Sequence, residues 1–118
     1  MFLETLKEIA NRLGDIHCVL LMGMDGLPVE QVIHDESFNT EALTAEFTTV
    51  VKVTNASIRE VEAGAVEEIL ILSEKMILLT KTITSDYFLL LILPADGNLG
   101  RARFELKKAK YMLEKEFV

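Results

Sequence analysis

His17 and Cys18 stand side by side, and His34 follows later in the chain. Imidazole and thiolate are common zinc ligands and can also act as base and nucleophile. Neighbours in a strand point to opposite faces, so His17 and Cys18 cannot share one ion. His34 on a return strand could approach His17, but two ligands fall short of the three or four a zinc site needs. His17 therefore reads as structural and Cys18 as a small buried hydrophobe. Gly97-Asn98-Leu99-Gly100 precedes a helix, as a phosphate loop does, yet neither glycine pattern for phosphates or dinucleotides is present. A turn and a helix cap suffice to explain it. Glu67 and Glu68 fall on opposite faces of a strand and cannot work as an acid/base pair. No Gly-x-Ser-x-Gly elbow occurs. The expectation is a chain that is not an enzyme in its own right, with no catalytic residue, no metal and no cofactor.

Composition narrows the class. The 118 residues fit one domain, 1–118, and 50% hydrophobic content supplies a core without staples. Cys18 is the sole cysteine, which excludes a disulfide scaffold. Tyr87 to Leu93, the longest apolar run, is far short of the roughly 20 residues of a membrane span. No signal-like n-region opens the chain, so the reading is a soluble cytoplasmic domain with no direct membrane insertion. A net charge of −7 argues against nucleic acid as a partner. That charge is uneven: residues 98–118 carry six basic residues against three acids, whereas 1–97 carry six against 16. A solvated basic helix is the simpler reading of this tail, and an acidic partner the sharper one.

The elements that position these residues follow from periodicity. Glu4 to Leu13 has helical spacing and Gly14 as its stop. Asp15 to Gly23 and Leu27 to His34 read as strands around Met24-Asp25-Gly26, and the Asp-Gly pair marks a hairpin. Pro28 puts the return strand at a sheet edge. From about Phe38 to Glu62 the period is helical, with Leu43, Phe47, Val50, Val51, Thr54, Ile58 and Val61 expected on the core side. Ala65 to Ser73, Met76 to Ile83 and Tyr87 to Leu93 are three further strands. Asn98 caps a last helix with Leu99, Ala102, Leu106, Ala109 and Leu113 on one stripe. Short connections make consecutive strands antiparallel, and a last strand apolar on both faces needs helices on both sides. The fold class is thus α+β: a five-stranded antiparallel sheet between one long helix and two terminal helices. Phe47, Phe88, Phe104 and Met112 are expected to fill its interior, which argues against a small-ligand sensor.

One surface needs a further explanation. Ala42, Ala45, Thr49, Val53 and Ala56 recur at steps of 3, 4, 4 and 3 on the side of the long helix opposite Phe47 and Ile58. Small residues at that spacing admit a second helix at close range. The strand from Ala65 to Ser73 carries Ile69, Leu70, Ile71 and Leu72 and is placed at a sheet edge, a hazard unless another strand covers it. Edge-to-edge pairing about a twofold axis would cover that edge and bring two long helices together. The expected dimer interface is therefore Ala42, Ala45, Thr49, Val53, Ala56, Ile69 and Ile71, in a homodimer with a continuous sheet. Thr48, Lys52, Asn55 and Arg59 project onto the shoulder between the two stripes.

The order of elements, the hairpin Gly23-Met24-Asp25-Gly26-Leu27-Pro28-Val29 and the tail Gly100-Arg101-Ala102-Arg103-Phe104-Glu105-Leu106 together resemble the Roadblock (dynein light chain/roadblock-type) family, in its bacterial or archaeal MglB-like branch. The resemblance covers nearly the whole chain. It implies a sheet sandwiched by helices, a homo- or heterodimer sharing an extended sheet, and a platform for a small Ras-like GTPase. Some such relatives activate GTP hydrolysis and others are scaffolds in signalling, motility or motor complexes. On this chain the GTPase surface would be the rim of the paired middle helices, with Thr48, Lys52, Asn55 and Arg59 as contacts by projection. An arginine supplied in trans can speed phosphoryl transfer, and Arg59, Arg101 and Arg103 are the candidates. The alternative is a passive adaptor that tethers proteins without regard to nucleotide.

Overall fold

Asp25-Gly26 turns the chain as its residue types demand. Gly26 sits at φ 88°, its N–H donates to the Gly23 carbonyl at 3.0 Å, and the Asp25 carboxylate accepts the Leu27 N–H at 3.0 Å. In a computed structural model, which describes residues 1–37 and 39–117, this hairpin joins β1 (Cys18–Gly23) to β2 (Pro28–Ile33). Before it comes α1 (Phe2–Leu13), ended by Gly14 at φ 78°. After it come α2 (Thr40–Glu60), β3 (Glu68–Leu72), β4 (Met76–Thr82), β5 (Tyr87–Pro94) and α3 (Leu99–Glu114), with a 3-10 turn over Lys115–Phe117. Phe38, expected at the start of the middle helix, lies outside the described residues. The strands at β1 and β3 are shorter than periodicity suggested, because chain entering from a helix needs residues to reach the sheet.

The sheet order is β2-β1-β5-β4-β3, with every neighbouring pair antiparallel. Both expected edges are edges: β2, which begins at Pro28, and β3. The central pair, β1 and β5, is buried on both faces over Cys18–Met22 and Phe88–Leu93. Alternation sends Val19, Leu21, Leu89 and Leu91 toward α1 and α3, and Leu20, Met22, Phe88 and Leu90 toward α2. Two helices thus cover one face and one covers the other, as the apolar run of β5 required. The ring of Phe117 stacks on Tyr87 at 4.2 Å and on Phe2 at 5.1 Å, pinning the two terminal helices to the end of the sheet. Glu105, buried between α1 and α3, is met by Lys108 at 3.3 Å and Arg12 at 3.7 Å.

Two of the four bulky residues expected inside are not there. Phe47 and Phe88 are buried, but Phe104 and Met112 are 57% and 53% exposed on the outer face of α3. Ala102, Leu106, Ala109 and Leu113 already fill that helix's inner stripe.

Candidate partner-binding surface

The Asn39 side chain accepts the Ala42 N–H at 3.0 Å and so starts α2 one turn before its first buried residue. The helix buries Thr44, Phe47, Thr48 and Val51, while Leu43, Thr54 and Ile58 are half-buried. Val50 and Val61, expected in the core, are 41% and 70% exposed. Their places are taken by threonines. The Thr44 hydroxyl donates to the Glu41 carbonyl at 3.0 Å and the Thr48 hydroxyl to the Thr44 carbonyl at 2.8 Å, so each enters the core with its polar group satisfied.

That rotation of the buried stripe corrects one expected contact. Thr48 is only 4% exposed and cannot reach a partner from the rim. Asn55 is half-buried, its amide donating to the Val51 carbonyl at 3.0 Å. Lys52 and Arg59 are exposed and in no ion pair among the described residues. With Asn55, Met24 and Ser85 they line a shallow recess of about 190 Å³. Met24 and Ser85 were missed by periodicity alone. Both belong to turns, β1–β2 and β4–β5, which the antiparallel order brings to the same end of the sheet beneath α2.

The small-residue stripe is on the outside. Ala42, Ala45, Thr49, Val53 and Ala56 are all exposed in the single chain, with Val53 at 59%. Next in the chain lies β3, which pairs with β4 alone and leaves its other edge open. Its Ile69 and Ile71 pack half-buried on the α2 side of the sheet, and Leu72 is 65% exposed. One surface therefore carries an exposed helix stripe and an open apolar strand edge.

The arginines of the tail lie elsewhere. Arg103 grips the Glu68 carboxylate through its Nε at 3.1 and 3.2 Å and its Nη2 at 3.0 Å. Arg101 and Arg103 are on α3, across the sheet from α2, so neither shares a face with Lys52 and Arg59.

The other candidate groups have partners or burial within the fold. The His17 Nδ1 lies 2.8 Å from an Asp35 carboxylate oxygen, and its main-chain carbonyl accepts the N–H groups of His34 and Asp35. Contacts with Ser37, whose N–H donates at 2.9 Å, hold Asp35 below the usual carboxylate range, and the His17 ring adds to this. Cys18 is wholly buried. That burial, reinforced by the charge of Asp35, pushes its thiol up to about 12. No three His, Cys, Asp or Glu side chains are grouped to hold a metal among the described residues. Asn98 caps α3 by accepting the Arg101 N–H at 3.0 Å, and the Gly97 N–H donates to the Pro94 carbonyl at 2.9 Å. A Cβ at Gly97 would lie 2.9 Å from that of Leu93, so the glycine serves a tight turn.

No family model and no curated protein sequence matches the chain. Solved structures do. MglB of Myxococcus xanthus superposes with a TM-score of 0.89 at 17% identity, over 98% of this chain and 94% of its own. A Roadblock/LC7 domain from Streptomyces avermitilis gives 0.84 at 14%, over 98% and 96%. MglC of Myxococcus xanthus gives 0.69 at 26%, over 98% and 99%. The chain has the Roadblock fold, as the order of elements with the hairpin and tail motifs implied.

Proposed function

We propose that this Roadblock-fold chain is a homodimeric regulator or scaffold for a small Ras-like GTPase, which it binds on the α2 face. The observation that carries the reading is the pairing of two unfilled surfaces: the exposed stripe Ala42, Ala45, Thr49, Val53 and Ala56, and the open edge of β3. A twofold axis perpendicular to the sheet would join two β3 edges and keep both α2 helices on one face. Small side chains then let the helices approach closely. Lys52, Asn55 and Arg59 flank that seam as the polar rim of a partner site.

The chain brings no reaction centre of its own in this reading. It acts on its partner by ordering the partner's switch segments, with Arg59 the sole arginine candidate on the α2 face for insertion in trans. Arg103 is committed to Glu68, and Arg101 sits on the far layer.

Titration against the Ras-like GTPase of the same genome tests this. A regulator prefers one nucleotide state, because it shifts an equilibrium only by its differential affinity for the two states. Tight binding to the form loaded with a non-hydrolysable GTP analogue, and weak binding to the GDP form, is the expected result. Equal binding to both forms would make the chain a passive adaptor, and binding to neither would remove the GTPase from the account.

A further inference from the structure

We propose that the outer face of α3 adsorbs the protein onto an anionic lipid bilayer. The inner stripe of α3 is shut into the core, and opposite it stand Phe104, Lys108, Tyr111 and Lys115 at steps of 4, 3 and 4 residues. Phe104 and Tyr111 are 57% and 59% exposed, with Met112 beside them at 53%. The Lys108 ammonium lies 4.9 Å from the centre of the Phe104 ring. Arg101, Lys107, Lys110 and Lys115 have no ion-pair partner among the described residues. Aromatic rings set among lysines on one helix face are the composition that settles at the headgroup level of a membrane.

Charge is segregated by layer in the same sense. Helix α1 carries two basic residues and two acids, and residues 98–118 six and three, so the helical layer on this face is at +3. Residues 14–97, which form the sheet and the α2 layer, carry four basic residues against 14 acids. Stacked layers lie about 10 Å apart, and a Debye length at physiological salt is about 8 Å. An anionic surface touching α3 therefore feels the basic layer strongly and the acidic body only through screening. The same imbalance orients the molecule with its α2 face outward, away from the lipid.

A bilayer fits this face better than an acidic polypeptide does. Phe104 protrudes from a convex helix, and Tyr111, which borders the recess beside Lys107 and Lys110, is still 59% exposed. The neighbouring recess between Lys81 of β4 and α3 has Glu67 and Glu114 among its lysines, so it offers an acidic chain no uniformly basic groove to lie in. The face is available in a single chain. Its doubling, with two α3 helices facing one way, rests on the dimer proposed above.

Co-sedimentation of the full chain with vesicles tests this without any GTPase. The expected result is partition onto mixed phosphatidylcholine–phosphatidylglycerol vesicles, little onto pure phosphatidylcholine, and loss of binding as salt rises. Lys107→Gln and Lys110→Gln should each lower partition about fivefold. Phe104→Ser with Tyr111→Ser should lower it further, and both sites are exposed, so circular dichroism should report an unchanged fold. Val53→Glu should keep the preference for anionic lipid with less avidity, which separates failure of the dimer from failure of the lipid face. No partition onto anionic vesicles, equal partition onto neutral ones, or indifference to the four substitutions would overturn the proposal. Capture of polyglutamate without binding to vesicles would assign the face to an acidic protein instead.

Discussion

The Thr48 hydroxyl donates to the Thr44 carbonyl at 2.8 Å, and a hydroxyl so returned to its own helix is fit for burial. Thr48→Ala should therefore cost about 1 kcal/mol of stability and leave partner binding unchanged. Lys52→Ala with Arg59→Ala should do the reverse, weakening GTPase binding about tenfold with no loss in thermal midpoint. Isothermal titration and thermal melts of the two variants separate these outcomes; normal GTPase binding by the double variant would remove the α2 rim from the site. Cys18 was legible as a buried hydrophobe from its type alone. Its thiol ionises near 9.0 when unburied and at about 12 in the fold. The unfolded chain thus releases that proton first on going alkaline, so the contribution is full below 9.0 and is lost as pH rises toward 12. Denaturant midpoints should fall across this window more steeply for the natural chain than for Cys18→Ala; parallel curves would contradict the assignment.

At the scale of elements, local pattern sufficed for the helices, the hairpin and the two-faced burial of β5. Phe104 and Met112 were misplaced because their type suggested burial, although the stripe Ala102, Leu106, Ala109 and Leu113 had already filled the inner side of α3. The pairing of β1 with β5, which sets the order β2-β1-β5-β4-β3, is a contact between residues some seventy apart, and no local period encodes it. The exposed stripe of α2 was legible for the converse reason. It lacks the Glu, Lys and Gln that a solvated helix face usually carries, and steps of 3 and 4 keep its small residues aligned. Val53→Glu sets a charge in the middle of that stripe at a position 59% exposed in the single chain. The variant should fold normally by circular dichroism and yet lose self-association.

At the scale of the whole molecule, the sheet separates two unlike faces: a small-residue α2 face beside an open strand edge, and a basic, aromatic α3 face behind it. The nearly even stripes and the charge difference between the tail and the rest could be read along the chain, but their assignment to opposite sides of one sheet needed the fold. Both the GTPase platform and the doubling of the lipid face depend on two copies joining through α2 and β3. Sedimentation equilibrium of the purified chain at micromolar concentration is the most direct test. The account predicts a species of twice the 13.3 kDa chain mass for the natural protein and a single chain for Val53→Glu. A natural protein that stays at 13.3 kDa would contradict it.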